Sequence, residues 1–302
     1  MTAKLILLGT AAAFPTKERA HSALLLDIGE ESLLFDCGEN AQRQIALAKA
    51  SPMKISKIFI SHWHGDHVLG LGGLLQSFQM NRRMKKIDIY GPEKTRERFR
   101  NMLAAFELRV GYPVDVYEIK ASLRAYKIID AKNYEILVTK CKHPIPCLAF
   151  AYQEKTKRRI DIDYLKKFGL TNNPIIKRLQ EGKDIMWKGK KIKAKDATYL
   201  QPGKKLTFIV DSAYAKNLVG FAKNSDLLVC EATFASELAK EAKEFGHMSA
   251  VDAAMLAKKA KVKKLILTHF SQRYKDINVL LQEARKIFPN TIAAEDLMEI
   301  SI

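Results

Sequence analysis

The chain has 302 residues, 47% of them apolar and 28% charged, a balance that suits one large α/β domain with a substantial core, or a domain carrying a sizeable insertion. No apolar run approaches the roughly 20 residues of a membrane span, and residues 1–9 lack the apolar length and small-residue cleavage site of a signal peptide; the expectation is a cytoplasmic protein with no membrane partner. Lys and Arg number 51 against 33 Asp and Glu, a net charge of +18, which points to a polyanionic partner such as nucleic acid unless a general Lys bias accounts for it.

In chain order, residues 4–8 form an apolar strand ending at Gly9-Thr10. Residues 23–28 and 32–35 flank a turn at Gly29-Glu30-Glu31 and read as a hairpin. A short helix follows over 42–49, a strand over 57–60, a Leu- and Gly-rich helix over 68–80, a strand over 87–90 and a charged helix over 93–106. Later strands fall at 134–140, 147–152, 206–210, 227–230 and 264–268, with helices at 249–259 and 279–287. Short strands mixed with helices in both halves predict helices packed outside sheets, an α/β sandwich. The four cysteines, Cys37, Cys141, Cys147 and Cys230, form no C-x-x-C pair and are expected to be reduced and buried.

One stretch differs from the rest. Residues 154–205 hold 16 Lys or Arg against 6 Asp or Glu, a net of +10. More than half of the chain's excess charge thus sits in about a sixth of its length, which favours a binding surface over a general bias. Helical patches at 163–168 and 175–180 are separated by Gly169, Asn172-Asn173-Pro174 and Gly182. The stretch reads as an inserted basic arm; a solvated loop without a partner is the alternative.

The chemistry is concentrated in His62-Trp63-His64-Gly65-Asp66-His67. Side chains two apart in extended chain point the same way, so His62 and His64 can reach one metal. A turn at Gly65 would swing Asp66 and His67 toward a neighbouring position. Imidazole and carboxylate suit zinc, with manganese or iron(II) as alternatives. Two ions on these ligands alone would be under-coordinated, so further ligands are expected downstream. His143, Asp211 and His269 each follow a predicted strand and are the candidates, although a single strand-end His or Asp is more often structural.

This order of H-x-H-x-D-H followed by strand-end His, Asp and His resembles the metallo-β-lactamase superfamily, and within it the ribonuclease Z family of tRNA 3′-processing endonucleases. Four segments carry the resemblance: Phe35-Asp36-Cys37-Gly38-Glu39-Asn40-Ala41-Gln42; residues 61–67 with the Leu/Gly run 69–75; Glu231-Ala232-Thr233-Phe234 with Gly246-His247; and Leu267-Thr268-His269-Phe270-Ser271-Gln272-Arg273-Tyr274. It runs from about residue 4 to 298 and implies a single αβ/βα sandwich over 1–302, two mixed sheets face to face with helices outside, plus an inserted arm over 154–205.

The resemblance also implies roles. His62, His64 and His143 would hold one zinc, Asp66, His67 and His269 another, with Asp211 bridging, two Zn2+ per subunit in all. The metals would lower the pKa of a water that attacks the scissile phosphorus. Asp66 would act as general base, and His247, oriented by Glu231, would stabilise the transition state or protonate the leaving 3′ oxygen. Asp36 would orient the metal motif as a hydrogen-bond acceptor. Ser271 and Arg273 would touch the acceptor stem of precursor tRNA. Lys155, Lys157, Arg158, Arg159, Lys177 and Arg178 of the arm would grip the tRNA body, in a homodimer whose arms can serve the partner's site. Simpler readings stand beside these: Glu231 as an internal pairing group, His247 as a helix-start residue, Asp36 as a turn residue and Arg273 as a surface cation.

The chain departs from the family's usual pattern at Ala20, Asn40-Ala41, Val210, Ser212, Cys230 and Met248, and its arm is Lys-rich where Gly-Pro turns are common. None of these is a proposed metal ligand. The competing functions are a small-molecule metallohydrolase of the same fold (phosphodiesterase, lactonase or sulfatase) and an RNA-binding protein with a decayed site.

Overall fold

The computed structural model describes residues 3–302; Met1 and Thr2, which open the amino-terminal run, lie outside the described residues. Two seven-stranded mixed sheets dominate it. The first runs, in spatial order, Met298–Ser301, Lys4–Gly9, Ala23–Asp27, Ser32–Phe35, Ile55–Phe59, Ile87–Pro92 and Val114–Ile119; its first three pairings are antiparallel and its last three parallel. The second runs Thr291–Ala293, Leu265–Thr268, Leu227–Glu231, Lys205–Ile209, Leu148–Glu154, Tyr134–Lys140 and Tyr126–Asp130, parallel over the first four strands and antiparallel over the rest.

Alternation along the strands sorts the core into layers. Leu5, Leu7, Leu24, Leu26, Leu33 and Phe35 belong to the cluster between the sheets. Their neighbours Ile6, Leu8, Leu25 and Leu34 turn outward and pack with Ile45 of helix Ala41–Leu47 and with Leu71, Leu74, Leu75 and Phe78 of helix Leu71–Met80. Phe35 stacks on Phe59 of its own sheet at 4.8 Å and on Phe208 of the opposite sheet at 4.3 Å, and Phe59 meets Phe150 at 5.4 Å, so aromatic rings join the two sheets. Helices Lys216–Phe221, Ala250–Ala260 and Asn278–Ile287 belong with the second sheet. The expected α/β sandwich with helices outside is therefore present, and all four cysteines are buried and unbridged. No helix among the described residues is long and apolar enough to cross a membrane.

Two local expectations change. The helix expected over residues 68–80 is interrupted: Gly65–Val68 makes a single turn and Leu71–Met80 the helix proper. The N–H of Gly70 leaves the helical ladder to donate to the Cys37 carbonyl at 2.9 Å, and a Cβ on Gly70 would stand 2.1 Å from the Gly38 oxygen. Gly65, expected to supply a flexible turn, instead opens that short helix without a positive φ; the swing of Asp66 and His67 comes from the switch from extended chain at His64 to helix.

The basic stretch is folded. Lys157–Ile160 pairs antiparallel with Thr198–Gln201, Ile185–Trp187 with Lys190–Ile192, and helices Ile162–Lys166 and Ile176–Gln180 lie between. Leu165, Leu170, Leu179, Ile185, Ile192, Ala194 and Ala197 form a small core separate from those of the sheets.

Candidate metal centre

The site residues converge at the carboxyl ends of strands from both sheets, where α/β sheets commonly present ligands. Asp36 follows Ser32–Phe35, His62 and His64 follow Ile55–Phe59, His143 follows Tyr134–Lys140, Asp211 follows Lys205–Ile209, and His269 follows Leu265–Thr268. His62, His67, Asp211 and His269 are buried, whereas His64 is exposed at the mouth.

Their ligand atoms fall into two groups that share Asp211. His62, His64, His143 and Asp211 cluster within 4.8 Å of one another, as do Asp66, His67 and His269. Asp211 Oδ2 stands 3.5 Å from His62 Nε2, while its Oδ1 stands 3.2 Å from His67 Nε2 and 2.9 Å from His269 Nε2. Asp66 Oδ2 is 3.5 Å from both His67 Nε2 and His269 Nε2. One carboxylate thus faces both groups, one oxygen to each.

The second nitrogen of four histidines is anchored, which aims the first inward. His62 Nδ1 lies 3.0 Å from Ser61 Oγ, His67 Nδ1 2.7 Å from Asp36 Oδ2, His143 Nδ1 3.2 Å from the Gly246 carbonyl, and His269 Nδ1 2.9 Å from Thr233 Oγ1. Asp36 also accepts from Ser61 N at 2.7 Å and Ser61 Oγ at 2.8 Å. A further cluster joins Asp211 and His269 with His247. His247 Nδ1, however, is 3.1 Å from Glu231 Oε2 and 4.0 Å from Asp211 Oδ2. Glu231 thus holds His247 through Nδ1 as Asp36 holds His67, which leaves the His247 Nε2 for the cavity.

The electrostatics couple the two carboxylates to the imidazoles around them. Burial pushes Asp66 and Asp211 up, but the imidazoles of His269 and His67 outweigh it and hold both well below the usual carboxylate range. Burial depresses His269, yet Asp211 and Asp66 lift it to about 10, and Asp211 and Asp36 raise His67 in the same way. Burial pushes His62, His64 and His143 down, toward the neutral form that can donate a lone pair. Asp211 Oδ1 is buried and, although close to the His67 and His269 imidazoles, meets neither in hydrogen-bond geometry. A donor set of imidazoles and carboxylates around an unsatisfied buried oxygen fits divalent metal.

A protein-family model described as "Anti-Pycsar protein Apyc1" matches residues 3–140, less than half of the chain. Ribonuclease Z of Methanococcus maripaludis (strain C5) is 40% identical, over 99% of this chain and 98% of its own length. Ribonuclease Z of Ignicoccus hospitalis is 39% identical, over 99% and 98%. The chain belongs to the ribonuclease Z family. Among solved structures, the short form of human tRNase Z aligns with a TM-score of 0.74 at 27% identity, covering 99% of each chain. The metallo-β-lactamase fold protein YhfI of Bacillus subtilis aligns at 0.72 with 20% identity, a likeness of fold.

Ribonuclease Z membership makes the chain a hydrolase of the metallo-β-lactamase fold with a metal site. Ser271 and Arg273 line the same cavity as His64, Asp66, His143, Asp211, His247 and His269. The arm cations expected to contact RNA divide. Lys157, Arg159, Lys177 and Arg178 are exposed on the arm. Lys155 is ion-paired with Asp130 of the second sheet, and Arg158 is half-buried with its guanidinium on Thr198 Oγ1 at 2.8 Å. Three participants escaped the sequence reading: Ser61, Thr233 and the backbone N–H of Ala13, which donates to Asp66 Oδ2 at 2.9 Å. Thr233 also donates to Glu231 Oε2 at 2.7 Å, so one hydroxyl ties Glu231 to His269. Ser61 and Thr233 lie inside segments that carry the family resemblance, but nothing in the sequence marks them as histidine anchors, and Ala13 carries no signal at all.

Proposed function

We propose that this ribonuclease Z family member cleaves the 3′ trailer from precursor tRNA, leaving a 3′-hydroxyl on the tRNA and a 5′-phosphate on the trailer. The observation that carries the reading is the shared Asp211 carboxylate between two His-rich groups, in a chain whose full-length relatives are ribonucleases Z. His62, His64 and His143 would hold one ion, and Asp66, His67 and His269 the other, with Asp211 between them; zinc suits these donors, and manganese or iron(II) fit the same set. When bound, two such ions lower the pKa of a water to near neutrality and offset the charge that develops on the phosphate.

The chain's own groups do the rest. Asp66, fixed by the Ala13 N–H, accepts the proton of the attacking water. His247, held through Nδ1 by Glu231, has Nε2 free to protonate the departing 3′ oxygen. Asp36 keeps His67 in one orientation. Arg273 suits a backbone phosphate through its bidentate fork, with Ser271 beside it. The exposed arm cations Lys157, Arg159, Lys177 and Arg178 suit the tRNA body away from the cut, because phosphate contacts supply affinity without reading sequence. A homodimer is part of the reading: Met80 and Phe106, 74% and 59% exposed, line one depression together with Gln79, Glu107 and Arg109, a mixed surface that suits a second copy, and sedimentation at graded concentrations will report it.

The deciding experiment is incubation of the metal-loaded protein with a 3′-extended tRNA transcript and mapping of both product ends. Cleavage at one position near the end of the acceptor stem, abolished in Asp66→Ala, is expected. Random cuts, or equal activity in the variant, would refute the reading.

A further inference from the structure

Two aromatic rings stand exposed where large apolar groups are normally hidden. Phe14 is 61% and Phe245 57% exposed, and both line the cavity of about 770 Å3 that contains the metal cluster. They come from elements far apart in sequence and are fixed from opposite halves of that cluster. Phe14 follows Ala13, whose N–H donates to Asp66 Oδ2 at 2.9 Å. Phe245 ends helix Ala239–Phe245 and precedes Gly246, whose carbonyl lies 3.2 Å from His143 Nδ1. One ring therefore sits one residue from a contact to the Asp66, His67 and His269 group, the other one residue from a contact to the His62, His64 and His143 group.

The backbone that carries each is tied down. Ala13 holds a left-handed φ of 53°, and the loop beyond Phe14 closes through Thr16 N to Arg19 O at 2.8 Å and Ala20 N to Asp296 Oδ2 at 2.7 Å. The Arg19 guanidinium bonds the Ala294 carbonyl at 2.8 Å and lies 4.8 Å over the Phe270 ring. On the other side Gly246 takes a φ of 79°, and a Cβ there would meet Pro144 Cδ at 2.6 Å; the His247 N–H closes the helix end on Ala242 O at 2.7 Å. The core has no use for either ring. An exposed aromatic on a fixed backbone beside a phosphodiester-cleaving centre offers a stacking face whose position is set in advance.

We propose that Phe14 and Phe245 are base-stacking platforms, each receiving one of the two nucleobases that flank the scissile phosphate, so that the strand is splayed and its phosphate lowered between the metal groups. The inference rests on the RNA-cleaving function proposed above. Stacking suits an enzyme with many substrates, because every base has a π face, whereas hydrogen-bond readout would restrict it. It also completes the division of labour: Arg273 and the arm address phosphates, and the two rings address bases.

The test uses kcat/KM on a 3′-extended tRNA and on the same RNA with an abasic ribose on one or the other side of the scissile bond. Phe14→Ala and Phe245→Ala are each expected to lose about 5- to 100-fold on the intact RNA, with metal content unchanged, while Phe→Trp at either position keeps the wild-type rate and Phe→Leu does not. One abasic site should cost the wild type a similar factor, yet cost nothing further in the variant lacking the matching ring. Alanine variants that keep pace with the wild type, losses that simply multiply with both abasic sites, or variants that change oligomeric state would each overturn the inference. If the wild type hydrolyses bis(p-nitrophenyl) phosphate but leaves the RNA intact, the tRNA reading fails and takes this one with it. If it cuts the RNA and only the stacking tests fail, the tRNA reading stands.

Discussion

Asp36 shows how much of this site depends on groups that touch no substrate. Its carboxylate accepts two bonds from Ser61 and one contact from His67 Nδ1, all between 2.7 and 2.8 Å. Asp36→Asn keeps the volume and tolerates the residue's φ of 56°, but it turns one acceptor into an N–H₂ donor. The expected result is a 10- to 100-fold weaker metal affinity, read by competition with a chromophoric chelator; unchanged affinity would reduce Asp36 to a turn residue. Asp211 and His269 share this left-handed backbone, at φ 48° and 59°. Such conformations cost on the order of 1 kcal/mol or more each and persist only where surrounding bonds impose them. The run from His62 to His67 was legible in the sequence because its four candidate ligands fall within six residues. His143, Asp211 and His269 were legible only as strand ends. Ser61 and Thr233 were not legible, because a hydroxyl becomes a histidine's anchor only once distant strands set it there.

At the scale of elements, caps and close approaches decide how the loops enter the site. Ser249 caps helix Ala250–Ala260: its hydroxyl accepts from Asp252 N at 3.1 Å, and Asp252 Oδ2 accepts from Ser249 N at 3.1 Å. Ser249→Ala should lower stability by about 1 kcal/mol, measured by urea unfolding, with tRNA cleavage retained because His247 stays bonded to Glu231. A loss of cleavage at full stability would mean that the cap positions His247. Asn40 illustrates why a departure from the family pattern is tolerated: it precedes helix Ala41–Leu47 at φ 72°, where Asn is among the few residues that replace Gly at low cost. Within the two large sheets, the strands that the sequence left unread are Val114–Ile119, Tyr126–Asp130, Thr291–Ala293 and Met298–Ser301, which are their four edges. Edge strands bury little and carry charge against mispairing, so the apolar signal that marks interior strands fades there.

At the scale of the molecule, the basic arm leaves the second sheet through a narrow neck. Gln153 pairs with Lys205 across antiparallel strands Leu148–Glu154 and Lys205–Ile209, Glu154 N donates to Lys204 O at 2.9 Å, and a Cβ on Gly203 would meet the Glu154 carbonyl at 2.0 Å. Replacing residues 155–203 with a short turn should therefore leave an ordinary hairpin. The expected outcome is retained hydrolysis of bis(p-nitrophenyl) phosphate, lost cleavage of precursor tRNA, and a much flatter salt dependence of RNA binding than the intact chain shows. Loss of neither activity would favour a small phosphodiester as substrate. The arm's charge was legible from composition, but its separate core was not, since its apolar residues are scattered among Lys and Gly without a sustained period.

The distribution of the ligands has a consequence for the order in which the protein is made. His67 and His269 face each other at 3.3 Å although 202 positions separate them, and one belongs with the first sheet, the other with the second. The six-residue metal motif emerges from the ribosome long before Asp211 and His269 exist, and on its own it offers an ion neither the shared carboxylate nor the far-side imidazoles. Stable loading must therefore wait until the second sheet has docked on the first. On the proposed ligand set, a bound metal would act as a late clasp across the open end of the sandwich, and a loaded centre would certify that both halves have folded together.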